Sequence, residues 1–198
     1  MKKIVTLAAA LALLALSCFE EVPPPPPEHP EPTAPANVLE NVELAFNNRD
    51  ADLLKAMLSP NFVFYFDPDD VGERAPGRGY IIPEYWSYTE FRKAVDNVFT
   101  KAYSISLSIP TEQVGTPGEN ETTYRAEKIS ISLLVMVDEL NGYLADQGYC
   151  NFAFERYVND KKEKRWHLVG WWDHTAVPAD GRTGVSPPSL GKVLAVYY

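Results

Sequence analysis

"NVLENVELAFNNRDADLLKAMLSPNFVFYFDP", residues 37–68, changes its hydrophobic period from helix to strand, and that change decides the fold. Val38, Val42, Ala45 and Phe46 recur at helical spacing, and Asn37 with Glu40 has the form of a capping box. A first helix of about eleven residues is expected there. Asn47-Asn48-Arg49-Asp50 breaks it, and Asp50 can cap a short second helix with Leu53, Leu54, Met57 and Leu58 on one face. Ser59-Pro60 stops that helix. Phe62-Val63-Phe64-Tyr65-Phe66 then reads as a strand too apolar for an exposed edge, and Asp67-Pro68 ends it.

Toward the carboxyl end, residues 69–83 are rich in Gly and Pro and read as a long loop. Ser87 with Glu90 forms a second capping box, after which Phe91, Val95, Val98, Phe99 and Ala102 line one side of a third helix. Tyr103, Ile105, Leu107 and Ile109 alternate with Ser104, Ser106 and Ser108, which gives one apolar and one hydroxyl face. Ile129, Ile131, Leu133, Val135 and Val137 repeat the period of two, opposed by Ser130 and Ser132. Residues 149–158 and 166–175 form a hairpin whose turn holds the run Lys161 to Arg165, a solvated basic patch broken by Glu163. Helix, helix, strand, helix and then antiparallel strands make an α+β plan, with three N-terminal helices packed on a curved antiparallel sheet.

Toward the amino end, Met1-Lys2-Lys3 and the apolar run from Ile4 to Leu16 have the form of a secretory signal peptide, with small Ser17 before Cys18. The run is too short for a transmembrane helix. Its Ala-Leu-Ser-Cys ending resembles the lipobox of bacterial lipoproteins, in which the cysteine becomes the lipidated first residue of the mature chain. The competing reading is an ordinary signal with an incidental cysteine. Residues 19–36 contain eight prolines and four glutamates. Such a stretch cannot bury a core and favours polyproline II at ~3.1 Å per residue, so it reads as a semi-rigid stalk; a ligand for a proline-recognising module is its rival. The expected organisation is signal peptide 1–17, lipidated Cys18 with stalk to 36, and a domain over 37–198. The bilayer is then a partner through acylated Cys18, with a palmitate-type anchor. Phe19 after the cysteine, not Asp, points by resemblance to outer-membrane sorting in a cell with two membranes.

The 198 residues are 45% hydrophobic, enough for one real core. The formal net charge is −9, and it stays at −7 beyond residue 36 once Lys2, Lys3 and the stalk glutamates are set aside. No Lys/Arg cluster interleaves with aromatics, which argues against nucleic acid. Only Cys18 and Cys150 occur, so a lipidated Cys18 leaves no intramolecular disulfide.

The opening stretch, the helix "WSYTEFRKAVDNVF" and the strand "RWHLVGWWD" together resemble the nuclear transport factor two-like superfamily, which includes polyketide-cyclase-like and ketosteroid-isomerase-like domains. The resemblance covers nearly all of 37–175 and implies a cone-shaped half-barrel with an apolar cavity between sheet and helices. Its members range from enzymes to binding modules. The tail "PPSLGKVLAVYY" is similar to the carboxyl end of exported members in which a short segment packs back on the domain.

Asp67, at the end of the first strand and before a proline, occupies a place like that of the isomerase general base; burial would raise its pKa toward working pH. The resemblance puts the isomerase tyrosine at Val42 and its protonated aspartate near Cys150 or Asn151, so the acids that stabilise an enolate are missing. The plainer reading of Asp67 is a turn former. A twelve-residue calcium loop starting there fails, since Val71 and Arg78 stand at its fifth and twelfth positions. Trp166, Leu168, Trp171 and Asp173 imply a bulge near Gly170 that turns Trp171 and Asp173 inward, where they could stack on and hydrogen-bond a ligand. Tyr65 and Trp86 are candidates for the cavity mouth. His167 and His174 have no cysteine or third histidine nearby, so no metal is expected, nor any cofactor. Cys150 reads as a small buried hydrophobe, and Asn120-Glu121-Thr122 as an empty glycosylation triplet. The expectation is a membrane-anchored envelope lipoprotein acting as a small-molecule-binding or protein-assembly module, a homodimer through the hydroxyl face. The alternative is an isomerase, dehydratase or cyclase with Asp67 as base, assisted by Tyr65 or Asp173. A third reading, a structural spacer, predicts a cavity filled by its own aromatics.

Overall fold

The computed structural model describes residues 29–158, 162–175 and 188–198; Cys18, the leader and most of the expected stalk lie outside them. Helices α1 (Pro35–Asn48) and α2 (Ala51–Met57) precede β1 (Leu58–Tyr65), β2 (Tyr85–Ser87), α3 (Tyr88–Lys101) and β3 (Ser104–Ser108). A 3-10 turn (Thr111–Gln113), β4 (Thr123–Met136), β5 (Gly142–Val158), β6 (Lys164–Thr175) and α4 (Leu190–Ala195) complete the chain. The six strands form one curved, unclosed sheet in the order β2-β1-β6-β5-β4-β3, and the architecture is the expected α+β one. Every neighbouring pair is antiparallel except β1 and β6, which run parallel. No helix among the described residues is long and apolar enough to cross a membrane.

The Asn-Asn-Arg-Asp break works residue by residue. Asn47 pairs its amide with both backbone groups of Leu107, at 2.9 and 2.7 Å, and so satisfies the edge strand β3. Arg49 takes the left-handed conformation that closes α1 (φ 56°) and donates to the Tyr103 carbonyl at 2.7 Å. Asp50 caps α2, accepting from Asp52 N and Leu53 N, a contribution of about 1 kcal/mol. Glu43 adds a second clasp on the edge by accepting from Ile109 N at 2.7 Å.

Several boundaries differ from the sequence reading. Helix α1 begins at Pro35, whose fixed φ suits a first turn; Asn37 makes no capping box and donates instead to the Glu31 carbonyl at 2.8 Å. The last residues assigned to the stalk therefore lie on the domain. The Pro32 carbonyl accepts from Trp166 N, Glu31 pairs with Arg165 at 2.7 Å, and the Pro30 carbonyl accepts from Asn41. Strand β1 starts at Leu58 rather than after Pro60, with its register to β6 broken between Leu58 and Val63, where Pro60 sits. Tyr103, expected inside, is 57% exposed because β3 starts one residue later. The capping box of α3 is present as read, with Glu90 accepting from both Ser87 N and Ser87 Oγ.

The core lies between the concave side of the sheet and the helices. Phe46 meets Phe99 edge-on, Phe64 stacks on Phe91 at 5.4 Å, and Trp171 lies against Phe64, Phe91 and Phe152. Such aromatic pairs add about 0.5–1.5 kcal/mol each beyond the area they bury.

Candidate functional site

Strand β6 sorts its own side chains. Leu168 pairs with Phe154 and Gly170 with Ala153, so Val169 is an extra residue, and the alternation slips by one. This is the bulge expected near Gly170. Trp171 and Asp173 point inward and are buried, while Trp172 and His174 face the opposite side.

The inner side is sealed by the tail. Leu190, Val193, Leu194 and Ala195 of α4 are buried between sheet and helices, as the resemblance of the tail implied. Gly191 is required at the contact, since a Cβ there would lie 2.7 Å from Phe66 Cδ1, 3.0 Å from Phe64 Cε1 and 3.1 Å from Asp173 Oδ2. Asp173 Oδ2 accepts from Gly191 N at 2.6 Å, and its other oxygen from the Cys150 thiol at 3.8 Å. Asp70 accepts from Ser189 Oγ at 2.5 Å and from Lys192 Nζ at 2.9 Å, while Lys192 also reaches Glu73. Tyr198 stacks on Trp86 at 5.1 Å and takes the Lys93 ammonium 4.1 Å over its ring. The space left beside Asp173, His174, Ser189 and Leu190 is about 10 Å³, no more than one water requires.

Electrostatics follow the burial. Asp173 is pushed up to about 7 by its burial, opposed by the Gly191 and Ser189 hydrogen bonds and reinforced by the charges of Asp67 and Asp70. Burial, and then the Asp173 charge, drives the Cys150 thiol well above its usual range, so it is an inert hydrophobe as read.

Asp67 is 5% exposed, and its carboxylate is occupied on both sides: one oxygen accepts from Asp69 N at 2.8 Å, the other from Thr175 N. It pins the loop after β1 to the end of β6, in the manner of a turn former. Trp86 is fully buried, its Nε1 donating to Tyr80 Oη at 2.8 Å, so it forms wall rather than mouth. Tyr65 is on the other side of the sheet altogether. Of the five expected site residues, Asp67, Trp86, Trp171 and Asp173 are brought to one interior and Tyr65 is not, because it alternates with the inward Phe64 and Phe66.

Outside, Tyr65 stacks face to face on Trp172 at 4.8 Å with 3° between planes, Tyr85 follows at 6.1 Å, and the Arg125 guanidinium lies 5.2 Å from the Trp172 centroid. Trp172 was not singled out by sequence reasoning, although the bulge that turns Trp171 in must turn its neighbour out. His174 stacks on Tyr149 and bonds Asn151 at 3.1 Å. His167 is on this side too: it stands seven residues before His174, which strict alternation would put on the opposite face, and the bulge at Val169 brings the two to the same side. Its pKa is lowered by burial and by Arg165, and it lines an open groove of about 620 Å³ with Pro60 and Tyr157. Among the described residues no group of His, Cys, Asp and Glu is arranged to hold a metal ion. Asn120 is exposed in the turn before β4.

No protein-family model matches the chain, and no curated protein does. Solved structures similar to it include an NTF2-like superfamily protein from Salmonella enterica, at 15% identity over 76% of this chain and 91% of that one, TM-score 0.47. An NTF2-like protein of unknown function from Pseudomonas putida is 8% identical over 76% and 90%, TM-score 0.47. A conserved protein from Planctomyces limnophilus is 15% identical over 70% and 91%, TM-score 0.46. At these values the likeness is one of shape.

Proposed function

We propose that the chain is an exported lipoprotein, held to the cell envelope through acylated Cys18, whose domain is a binding module that works from the outer face of its sheet. The observation that carries this reading is the seal: Leu190, Val193, Leu194 and Ala195 of α4 are buried between sheet and helices, and the space beside Asp173 is about 10 Å³, too small for a substrate. Asp67 is 5% exposed, and its two oxygens accept from Asp69 N and Thr175 N, so its carboxylate is buried in holding the loop after β1 to the end of β6. The isomerase, dehydratase or cyclase alternative is the weaker reading for that reason. The outer-membrane address rests on the leader, and the residues from Cys18 to about 29 would form the spacer, since Pro30, Glu31 and Pro32 lie on the domain. Pairing of two copies is proposed through the hydroxyl patch of Ser104, Ser106, Ser108, Ser130 and Ser132, which lies at the β3 end of the outer face.

The test is to export the chain with Cys18→Ser into a bacterial periplasm and compare native with denaturing mass spectra. A mass free of any co-purified small molecule is expected, and a ligand lost on denaturation would overturn the reading in favour of an occupied interior. Radiolabelled palmitate incorporation that Cys18→Ser abolishes is the expected sign of the anchor; incorporation unchanged by the substitution would refute it.

A further inference from the structure

The geometry points to an oligosaccharide-binding slot on the outer face of the sheet, built from Arg125, Glu127, Asn151, Trp172 and His174 and suited to a neutral polyhydroxylated chain. It rests on the reading that function lies on this face and specifies the ligand class.

The slot is held rigid from below. Gly170 leaves room for the Trp172 ring, since a Cβ there would stand 2.5 Å from the indole. Tyr65 from β1 stacks on that ring while Arg125 approaches from β4, so the indole is fixed between two neighbours and offers its edge to solvent. On the far wall, Glu127 and Lys128 of β4 together face the single Asn151 of β5, in a bulge where Lys128 adopts φ 57°. That conformation aims Lys128 N at Asn151 Oδ1, 2.8 Å away. With its oxygen committed, Asn151 turns its amide nitrogen to His174 Nε2 at 3.1 Å, which leaves the imidazole proton on Nδ1. Donors and acceptors are thus set before any ligand arrives.

Chemistry names the occupant. Arg125 and Glu127 have no ion-pair partner among the described residues, so a strong donor and a strong acceptor of opposite charge stand unused in one slot. Their charges cancel, and the net charge of −9 on the whole chain repels polyanions. Vicinal hydroxyls, each donor and acceptor at once, match such a pair. Grooves of about 250 and 410 Å³ adjoin the Arg125–Trp172 pair and share both residues, which gives successive rings adjacent places along one chain.

The test uses the full exported chain with Cys18→Ser and indole ¹⁵N spectra. Trp86, Trp166 and Trp171 are buried, so Trp172 is the selective reporter among the four tryptophans. Cellotetraose, chitotetraose and maltotetraose are titrated to millimolar concentration, with heparin as the polyanionic control. At least one neutral tetrasaccharide should shift the Trp172 signal alone, Arg125→Ala and Glu127→Gln should each weaken that response at least tenfold, and heparin should leave it unmoved. Silence from all three sugars, a response indifferent to both variants, or a Trp172 signal that moves with protein concentration alone would overturn the slot, the last because a second copy would then be its occupant. A clean native mass with no sugar response sinks the slot and leaves the module reading standing, whereas a small molecule in the interior sinks the module reading itself.

Discussion

Trp171 and Trp172 are neighbours in sequence and opposites in circumstance. Trp171 lies under the helices among Phe64, Phe91 and Phe152, in an interior whose carboxylates all accept hydrogen bonds from the main chain, the tail or a thiol. Trp172 stands on the open face beside Arg125 and Glu127, which bond to no charged partner among the described residues. One extra residue, Val169, makes the difference. The interior carboxylates are all engaged, though Trp171 Nε1 and Tyr197 Oη are buried without a hydrogen-bond partner, whereas the charges of Arg125 and Glu127 face water.

The contrast breaks most severely if the seal is removed. Ending the chain after residue 187 deletes three large buried aliphatic side chains, Leu190, Val193 and Leu194, each contributing about 1.5–3 kcal/mol. It also strips Asp173 and Asp70 of their partners from the tail. The loss should exceed about 5 kcal/mol, a large part of a domain's typical total. Urea unfolding should show a collapsed midpoint together with binding of an apolar dye; an unchanged midpoint would mean that α4 is ornament and the cone is closed by other means.

Asp173 sharpens the same contrast through pH. Its folded pKa of about 7 is above the ordinary value of 3.8, so the folded state holds a proton that the unfolded chain has released between those limits. Stability from this group is full below about pH 4, declines as pH rises and is lost as pH passes about 7, for a total on the order of 4 kcal/mol. Asp173→Asn keeps an acceptor for Gly191 N and removes the titration. Unfolding free energies at pH 5 and pH 8 should differ clearly in the parent and little in the variant. A slope that survives the substitution would place the proton elsewhere in the cluster. Next in size is Gly191→Ala, in which the new methyl meets Phe66, Phe64 and Asp173; the clash should cost about 1–3 kcal/mol despite alanine's better helix propensity. Stabilisation by this substitution would show that the tail sits loosely.

How much of this was legible in the sequence depends on range. The capping box at Ser87, the cap at Asp50 and the bulge near Gly170 are local, set by a few neighbouring residues, and they stand as read. Helix α1 starts early because Pro30, Glu31 and Pro32 find partners in Asn41, Arg165 and Trp166, contacts that no short-range pattern encodes. Asp67 was legible as an acid at a strand end, but its commitment to Thr175 N depends on β6 arriving parallel to β1 from more than a hundred residues away. Tyr65 needed only the period of two to be placed outside, since Phe64 and Phe66 claim the interior. Trp172 likewise followed from the bulge; attention to the inward residues hid the outward one.

The smallest expected effect tests the outer face against the inner one. Arg125 is exposed, and among the described residues its side chain makes no hydrogen bond or ion pair and lies over the Trp172 ring at 5.2 Å. A cation–π contact of this exposed kind is worth about 0.5–1 kcal/mol. Arg125→Ala should therefore lower the unfolding free energy by that amount and no more, whereas Trp171→Ala, which empties a buried site, should lower it by about 3–5 kcal/mol. A cost above about 2 kcal/mol for Arg125→Ala in urea titration would mean that the Tyr85, Tyr65, Trp172 and Arg125 row holds the sheet together as the core does. The two faces would then be alike, and the unpaired guanidinium would be part of the scaffold. A cost near 0.5 kcal/mol would put the aromatic row and its cation outside the scaffold, so that Arg125→Ala can be used to test the proposed slot without disturbing the fold.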